Sequence, residues 1–318
     1  MSTLIIGGAG FVGTALMECL KDRDDVAILD NFIWGMDIRV PKYFDVIHGD
    51  IRDVRLLNRI IPQFDTIVHL AGIVGAPACD LDPDLSHSIN VQGTRNIVDA
   101  CSSGQSIIFI SSTSAYGKQS EAVTELTPLV PLTSYGVHKA EGEKIVSNGK
   151  ADFIILRPAT AFGISQRIRI DLLPNTLAYK ALTEGVIDLF EPSVIRPFIH
   201  VHDFARVVEH AMNDRLTWNE VYNIGDPSLT MLKQDLAKSI AWMATANVTI
   251  REGTDPDQRN YDVSFDKLLG TGFKFSKATL TRGFYEIKKN IEALRKNPGI
   301  YSTTYITQKF IDEEHNGL

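Results

Sequence analysis

A tyrosine and a lysine four residues apart could form an acid–base pair in this chain. Tyr135 and Lys139 lie in the segment Tyr-Gly-Val-His-Lys, and side chains at positions i and i+4 share one face of a helix. The lysine ammonium favours the ionised phenol, so that Tyr135 could take a proton from a substrate hydroxyl. Hydride would leave the carbon that carries this hydroxyl and pass to a nicotinamide cofactor. The pair therefore predicts alcohol oxidation.

Position distinguishes this pair from others with the same spacing. Two further YxxxK pairs occur in the chain: Tyr285/Lys289 and Tyr305/Lys309. We interpret those two as exposed helical pairs. The pair at 135 begins a predicted helix that follows the predicted strand Ser106–Ile110, whose carboxyl end carries Ser111-Ser112-Thr113-Ser114. Because ligands of open α/β sheets bind beyond the carboxyl ends of the strands, we predict the active site here.

A glycine-rich turn near the beginning of the chain could bind the phosphates of a dinucleotide. The segment GGAGFVG at 7–13 lies between a predicted strand and a predicted helix. Gly7 permits a tight turn, Gly10 a close approach to a pyrophosphate, and Gly13 close packing of helix on strand. The helix N-terminus adds free N–H groups and a positive dipole end. The turn is not a GxxxxGK[ST] loop, because Thr14 follows Gly13, which excludes that type of ATPase.

An acidic residue at the end of the second predicted strand selects the dinucleotide. Asp30 lies 17 positions beyond Gly13, and a carboxylate there can accept both ribose hydroxyls of NAD while repelling the 2′-phosphate of NADP. No Arg or Lys occurs between Asp30 and Arg39. We therefore predict NAD. The alternative, that Asp30 is a turn residue before Asn31, stays open at this point.

The elements that must position these residues alternate between strands and helices. Six short β-branched runs are predicted strands: Thr3–Ile6, Val26–Leu29, Asp45–His48, Thr66–Leu70, Ser106–Ile110 and Asp152–Leu156. Amphipathic stretches separate them. This alternation predicts an α/β fold with a Rossmann-type doubly wound parallel sheet.

The alternation ends after about residue 165. We predict a helix over Asp171–Glu184, strands over Val186–Phe190 and Val194–Val201, and a helix over Asp203–Asn213 with Asp203 as its N-cap.

Three parts of the chain follow from this pattern. Residues 1–165 are the predicted NAD-binding domain, which carries the catalytic residues. Residues 166–297 form a smaller, mainly C-terminal α/β substrate-binding lobe, with some return to the sheet. Residues 298–318 are a tail that is either docked or frayed.

Composition excludes several classes of protein. The chain has 318 residues, 44% of them apolar, and a formal net charge of −7. This composition is that of a folded globular chain, and it provides no bulk positive field for nucleic acid or anionic membranes. The cysteines Cys19, Cys79 and Cys101 form no CxxC pair, and no apolar stretch is long enough to span a membrane. We expect a cytoplasmic protein without nucleic-acid or membrane partners.

The order of motifs resembles the extended short-chain dehydrogenase/reductase family, in its branch of NAD-dependent nucleotide-sugar epimerases and dehydratases. The similar segments are GGAGFVG at 7–13, LDN at 29–31, HGDIRD at 48–53, HLAG at 69–72, NVQGTRNIVDA at 90–100, SSTSAYG at 111–117, YGVHK at 135–139, LRPATAFG at 156–163, RPFIHVHDFAR at 196–206 and YNIG at 222–225. Three further segments resemble a subgroup that includes GDP-heptose 4-dehydrogenases: AGIVGAPAC at 71–79, FGISQRIRIDLLPN at 162–175 and DPDQRNYDVS at 255–264.

The resemblance implies roles for particular residues. Ser112 stands four positions before the tyrosine of the SSxxxYG motif, which makes it the hydroxyl-bearing catalytic residue, with Thr113 beside it. The predicted catalytic residues are therefore Tyr135, Lys139, Ser112 and Thr113. The predicted cofactor-binding residues are Gly7, Gly10, Phe11, Val12, Gly13, Asp30, Asn31, Asp50, Ile51, Leu70, Ala71, Gly72, Asn90, Tyr135 and Lys139.

The resemblance also implies a group of residues that bind the substrate, which would be a nucleoside-diphosphate sugar. These residues are Thr160, Asp171, Asn175, Arg196 and Arg259, with Arg167 and Arg169 as further candidates. Guanidinium groups suit a diphosphate because they bind its oxygens in pairs. Thr160 and Asp171 replace asparagines that are usual in the family, so the identity of the substrate does not transfer.

The family carries out several reactions, and one position separates them. The 4,6-dehydratases have an Asp–Glu pair directly after their catalytic Thr, whereas this chain has Thr113 and Ser114. We therefore favour an epimerase that acts through a 4-keto intermediate. Release of the ketone, by a 4-dehydrogenase or in reverse by a 4-ketoreductase, is the alternative.

Other classes remain as rivals. An NAD-sensing regulator is disfavoured because Tyr135 and Lys139 are both present, and an RNA-binding relative is disfavoured by the net charge of −7. His200, His202 and Asp203 lack partners for a closed metal site, so we predict no metal. By analogy with the family we expect a homodimer through the helices around 85–102 and 135–147.

Overall fold

A computed structural model of the protein describes residues 2–33, 40, 44–119, 121–253, 262–277 and 279–315. Its strands are β1 (Thr3–Ile6), β2 (Val26–Asp30), β3 (Asp45–His48), β4 (Thr66–His69), β5 (Ser106–Ile110), β6 (Asp152–Pro158), β7 (Thr160–Phe162), β8 (Val186–Leu189), β9 (Ile195–Arg196), β10 (Phe198–His200), β11 (Glu220–Ile224), β12 (Met231–Leu232) and β13 (Asn247–Ile250). Its α-helices are α1 (Phe11–Cys19), α2 (Val54–Ile60), α3 (Ala76–Cys79), α4 (Pro83–His87), α5 (Thr94–Ala100), α6 (Ser134–Ser147), α7 (Leu173–Glu184), α8 (Val201–Met212), α9 (Lys233–Ala244), α10 (Asp266–Leu269), α11 (Thr279–Lys296) and α12 (Thr303–His315). A π-helical stretch, Ser88–Gly93, joins α4 to α5.

A seven-stranded sheet forms the centre of the molecule, in the order β11-β6-β5-β4-β1-β2-β3. All its neighbouring strands are parallel. The strand order reverses between β1 and β4, and such a switch point opens a crevice at the carboxyl ends of the strands. The predicted doubly wound α/β fold is confirmed. Six of its strands are the predicted ones, and the seventh, β11, comes from the C-terminal half.

The second lobe packs around its own apolar cluster. Phe162, Leu177, Leu189, Ile240 and Phe284 are buried there. Small sheets border the cluster, with β8 parallel to β13, β10 parallel to β7, and β9 antiparallel to β12. This lobe stands beside the carboxyl end of the central sheet through β7, which directly follows β6.

The prediction of a single strand over Val194–Val201 is wrong. The chain forms two short strands, β9 and β10, which are separated by Pro197 and pair with different partners. A proline has no N–H to donate to a ladder, so the chain changes sheets at that residue. The strand predicted over Val186–Phe190 ends one residue earlier, at Leu189.

The N-cap predicted at Asp203 is also wrong. Helix α8 begins at Val201, directly after β10, and the Nδ1 of His200 accepts the His202 N–H at 3.3 Å. No loop is left in which Asp203 could serve as a cap. Its carboxylate instead accepts hydrogen bonds from Arg206 at 2.6 Å and from the Ser276 hydroxyl at 2.7 Å.

The helix predicted from Asp171 begins two residues later, at Leu173. Asp171 pairs with Arg169 and with the N–H of Thr303. The described part of the tail, residues 298–315, is docked: α12 packs on the first domain, and its Phe310 is buried in a cluster that includes Ile51.

A buried ion pair joins helix α6 to the sheet. The guanidinium of Arg157 on β6 donates to Glu143 on α6 at 2.6 and 2.9 Å, and both side chains are less than a tenth exposed. Ser111, at the end of β5, donates to the same carboxylate, and Arg157 also donates to the Tyr116 hydroxyl at 2.8 Å. The network fixes α6, the helix that carries Tyr135, against the carboxyl ends of β5 and β6.

Replacement of one partner of this ion pair should destabilise the protein. Arg157→Met leaves the carboxylate of Glu143 buried without its cation, and we expect the free energy of unfolding to fall by about 3–5 kcal/mol. Arg251→Met is the control, because its pair with Asp188 is exposed and is worth about 0–1 kcal/mol. Urea denaturation measures both. Equal losses for the two variants would show that the buried pair has no such role.

Candidate active site

A cavity of about 890 Å³ lies at the carboxyl ends of the central strands. The glycine-rich turn borders it at one end, and Tyr135 and Lys139 border it at the middle of the sheet. Arg167, Arg169 and Arg196 line the part formed by the second lobe. The cavity therefore holds both of the motifs that the sequence singled out.

The glycine turn packs tightly against neighbouring backbone, which leaves no room for a side chain at two of its positions. Gly7 has φ +87°, and a Cβ added there would lie 2.6 Å from the Ala71 nitrogen. A Cβ at Gly13 would lie 2.5 Å from the Gly8 carbonyl oxygen. Helix α1 begins at Phe11 without a side-chain cap, so its first N–H groups point into the cavity end that a pyrophosphate would occupy.

Asp30, the predicted ribose acceptor, lies at the end of β2 and lines the cavity. It is buried, and its two carboxylate oxygens accept the N–H groups of Ala9 and Phe32, each at 2.8 Å. Burial raises the pKa of Asp30, whereas these N–H groups stabilise the ionised form. Its carboxylate thus lies beside the glycine turn, as the predicted role in NAD binding needs. Arg39, the first cation after it in the sequence, lies outside the described residues.

The other predicted cofactor residues divide into two groups. Those that line the cavity are Gly7, Gly10, Phe11, Val12, Gly13, Asp30, Asn31, Asp50, Ile51, Leu70, Ala71 and Gly72. Asn90 is not among the lining residues. Its amide accepts the Ile73 N–H at 2.8 Å and donates to the Ile73 carbonyl at 2.9 Å, so it shapes the Gly72–Ile73 turn from behind.

The predicted catalytic residues Tyr135, Lys139, Ser112 and Thr113 all line the cavity. Helix α6 starts one residue before the tyrosine, and Thr133 caps it by accepting the Gly136 N–H at 3.1 Å. The lysine ammonium lies 5.8 Å from the centre of the tyrosine ring. The structure thus brings the four residues to one wall, while Tyr285 and Tyr305, the tyrosines of the other YxxxK pairs, are half exposed elsewhere.

Lys139 is buried and donates to the carbonyl oxygen of Ile110 at 2.7 Å. Burial lowers its pKa to about 8, and the nearby Cys79 and Glu143 oppose that shift. His69, at the end of β4, is buried too, and burial together with Lys139 lowers its pKa to about 3. Of these two residues, only Lys139 is therefore a cation near neutral pH.

The hydroxyls at the end of β5 are engaged differently. Ser112 donates to the Ser114 hydroxyl at 2.9 Å and accepts the Ser114 N–H at 3.1 Å. Thr113 donates to the Pro158 carbonyl at 3.1 Å. The Ser112 hydroxyl can turn to a ligand by exchanging one side-chain partner, whereas Thr113 would have to give up a backbone carbonyl.

The predicted substrate residues are partly brought together. Thr160, Asp171 and Arg196 line the cavity. Asn175 does not line it; its amide binds the backbone of Gly163 on both sides, at 2.9 and 3.0 Å. Arg259 lies outside the described residues.

The arginines of the second lobe differ in their partners. Arg169 donates to both oxygens of Asp171, at 3.1 and 3.0 Å, and this pairing lowers the pKa of Asp171 although burial opposes it. Arg196 is buried. Arg167 donates to the Ile300 carbonyl at 3.1 Å.

Sequence reasoning missed some residues of the cavity wall. Thr303 and Thr304 of the tail line it, as do residues 75–78 of the loop and helix after β4. The segment AGIVGAPAC at 71–79 was a signal for the second group, but no motif marks the threonines.

Comparison with known proteins defines the family. The model of the NAD dependent epimerase/dehydratase family matches residues 3–225. Over 261 residues the chain is 30% identical to N-acetyl-alpha-D-glucosaminyl-diphospho-ditrans,octacis-undecaprenol 4-epimerase of Escherichia coli O157:H7, and the match covers 76% of this chain and 74% of that protein. Over 180 residues it is 33% identical to D-erythronate dehydrogenase of Cupriavidus necator, covering 50% of this chain and 55% of that one. The structure of UDP-glucose 4-epimerase of Thermus thermophilus with NAD is similar with a TM-score of 0.79 at 22% identity, covering 91% of this chain and 99% of that chain.

The chain belongs to the NAD dependent epimerase/dehydratase family. It is an NAD-dependent enzyme of the extended short-chain dehydrogenase/reductase type, as the order of its motifs predicted, and the prediction of NAD as cofactor is confirmed. The closer likeness to GDP-heptose 4-dehydrogenases stays a prediction.

Two other features are absent from the described part of the chain. No described helix is both long and apolar enough to cross a membrane. Among the same residues, no three or more His, Cys, Asp or Glu side chains come together as metal ligands.

A methyl group at the glycine turn should weaken binding of the cofactor. In Gly7→Ala the new Cβ meets the backbone of Ala71, and we expect NADH to bind at least about tenfold more weakly. Gly104→Ala is the matched control: Gly104 has a similar φ of +93°, but nothing lies within 4 Å of its Cβ position. Both variants incur about 1–2 kcal/mol of backbone strain. Fluorescence titration with NADH compares them, and equal affinities would contradict this assignment of the turn.

The burial of Lys139 should appear in the pH profile of the enzyme. With a pKa of about 8, the ammonium is present below that pH and is lost as the pH rises through it. We expect the rate of NAD reduction to fall over that range because the phenolate loses its cation. Lys139→Arg keeps its charge, so its residual rate should lack this decline. The same alkaline decline in both enzymes would assign the titration to another group.

Proposed function

We propose that the protein is a nucleotide-sugar 4-epimerase that acts through a 4-keto intermediate. The observation that carries the proposal is that the glycine turn, the pair Tyr135/Lys139 with Ser112, and three arginines line one cavity. This arrangement suits a sugar held between a dinucleotide and a diphosphate-binding group.

The residues of the chain divide the chemistry of hydroxyl oxidation among them. Tyr135 takes the proton from the C4 hydroxyl, and Ser112 holds its oxygen by a hydrogen bond. Lys139 supplies the positive charge that favours the phenolate. NAD would be held by the glycine turn and Asp30, and it would supply reversible hydride transfer to and from C4. Rotation of the keto-sugar between the two transfers inverts the carbon, and the proton then returns from Tyr135.

The diphosphate of the substrate is assigned to the arginines of the second lobe. Arg196 and Arg167 are both buried and both line the cavity. A guanidinium binds two phosphate oxygens at once, which gives both affinity and orientation. Arg169 already shares its charge with Asp171, so we assign it a lesser part in phosphate binding. Thr160, opposite β10, is assigned to the sugar.

A second candidate is a 4-dehydrogenase or 4-ketoreductase that releases or takes up the ketone. Similarity to a D-erythronate dehydrogenase favours it, because that relative is named for oxidation alone. A 4,6-dehydratase is disfavoured, since Thr113 and Ser114 replace the acid pair and Thr113 already binds a backbone carbonyl. A homodimer and a cytoplasmic location stay predictions, as do the domain boundaries at 165 and 297.

Removal of the tyrosine hydroxyl should abolish most of the activity. Tyr135→Phe retains the ring but cannot accept the proton, so we expect a rate loss of at least about a hundredfold. Tyr285→Phe is the control, because it belongs to an exposed YxxxK pair and should keep the full rate. Steady-state turnover of an active nucleotide sugar measures both. An unaltered rate in Tyr135→Phe would refute the mechanism.

The experiment that separates the two candidate functions is incubation with a panel of nucleotide sugars. NADH absorbance and the stereochemistry of the product are followed together. Transient NADH with an inverted product indicates an epimerase, whereas reduced cofactor that accumulates with the ketone indicates a dehydrogenase. Failure of every nucleotide sugar to react would overturn the proposed substrate class.

A further inference from the structure

The C-terminal segment Pro298–His315 crosses from the second lobe to the cofactor end of the cavity. It consists of a 3₁₀ turn, Pro298–Tyr301, and helix α12. The segment lies outside the residues that the family model matches. At both ends, the segment contacts residues that line the cavity or residues that hydrogen-bond to them.

At the substrate end, the segment supports the loop that carries the arginines. The Ile300 carbonyl accepts from Arg167 at 3.1 Å, and the Tyr301 carbonyl accepts the Ile170 N–H at 2.9 Å. The Thr303 N–H donates to the carboxylate of Asp171 at 3.0 Å. Thr303 and Thr304, the first two residues of α12, line the cavity.

At the cofactor end, the contact runs through Arg52. Its guanidinium donates to both oxygens of Asp50, at 3.0 and 2.9 Å, and to both oxygens of Glu314, at 3.0 and 3.1 Å. It also lies 5.8 Å from the centre of the Phe310 ring. Asp50 lines the cavity, whereas Arg52 stands behind it. Although burial opposes the effect, the hydrogen bonds from Arg52 lower the pKa of Asp50.

Phe310 gives this contact its rigidity. The ring is buried in the same apolar cluster as Ile51 and Ile73, which line the cavity. Helix α12 is therefore held by apolar burial, and Glu314 reaches Arg52 from a fixed backbone. One guanidinium thus connects the loop that faces the dinucleotide to the end of the chain.

We propose that Pro298–His315 is a binding strap, in which Glu314 and Arg52 act as positioning residues for the NAD-binding loop at Asp50 and Ile51. The strap holds that loop against the cofactor and supports Arg167 at the other end of the cavity. The cofactor end of the inference depends only on the NAD site. The substrate end rests on the proposed function.

The test is NADH binding to the full-length, cofactor-free protein, with two neighbouring glutamates compared. Glu314→Gln weakens the contact with Arg52, and we expect the Kd for NADH to rise about two- to fivefold, which is the range of a partly exposed ion pair. Glu313→Gln is the matched control: Glu313 pairs with Lys309 on the same helix, so the Kd of this variant should be unchanged. Equal affinities in the two variants would overturn the role of Glu314.

A double variant distinguishes positioning from general destabilisation. Arg52→Gln loses both carboxylate contacts and should weaken NADH binding more than Glu314→Gln does. If Glu314 acts through Arg52, adding Glu314→Gln to that variant should cause no further loss. Additive losses would show that Glu314 acts by another route, and the proposed connection would be wrong.

A stop codon after Asn297 tests the strap as a whole. A folded truncated protein should bind NADH at least about tenfold more weakly, since Phe310 and both contact points are gone. Wild-type affinity in that protein would overturn the proposal; if the truncated chain does not fold, the glutamate and double variants decide. NADH binding needs no sugar, so failure here is distinguishable from failure of the proposed epimerase activity.

Discussion

The site depends on one buried cation. Lys139 is held within helix α6 and donates to the last carbonyl of β5, at Ile110, so the ammonium fixes the helix at the carboxyl edge of the sheet. Tyr135 lies one turn earlier on the same helix, so this contact helps to hold it at the end of β5. A buried ammonium needs hydrogen-bond partners, and here the partner is the carbonyl at the end of β5. Ser112 lies two residues beyond that carbonyl. The same hydrogen bond therefore holds α6 in position and keeps the positive charge beside Tyr135.

The surrounding polar groups reinforce this arrangement one turn further along α6. Glu143 is four residues beyond Lys139, and it accepts from Arg157 and Ser111, which belong to the two adjacent strand ends. Helix and sheet are thus joined by two buried polar contacts rather than by apolar packing alone. Buried networks of this kind are costly unless each member is paired, so they tolerate few alternative positions of the helix. The rigidity that results suits a site in which a phenol must meet one hydroxyl.

Much of the fold could be predicted because local pattern and final structure agree. Five of the six β-branched runs form strands that are mostly buried, whereas the edge strand β3 is largely exposed. The glycine turn leads into the first crossover helix, as expected. The errors arose where a residue served two elements. Pro197 divided an apolar run between two sheets, and His200 ended a strand while capping a helix, which left Asp203 for Arg206.

The sequence motifs of the site could be predicted, whereas the residues that hold the cavity wall from behind could be predicted less well. Tyr135 and the glycines act through their own side chains or backbone, and spacing identifies them. Asn90 and Asn175 belong to segments with recognisable motifs, but their amides bind backbone behind the wall, and no sequence pattern shows which way an amide faces. The tail has no motif, since its role depends on where α12 docks.

The central claim is that the phenol of Tyr135 meets a sugar hydroxyl that faces the dinucleotide. A crystal structure of the protein with NAD and a nucleotide sugar tests it most directly. We expect the tyrosine oxygen and the Ser112 oxygen to lie about 2.6–3.2 Å from one sugar oxygen, with Lys139 still bonded to the Ile110 carbonyl. A sugar bound with its hydroxyls away from that wall, or a tyrosine ring rotated out of the cavity, would contradict it.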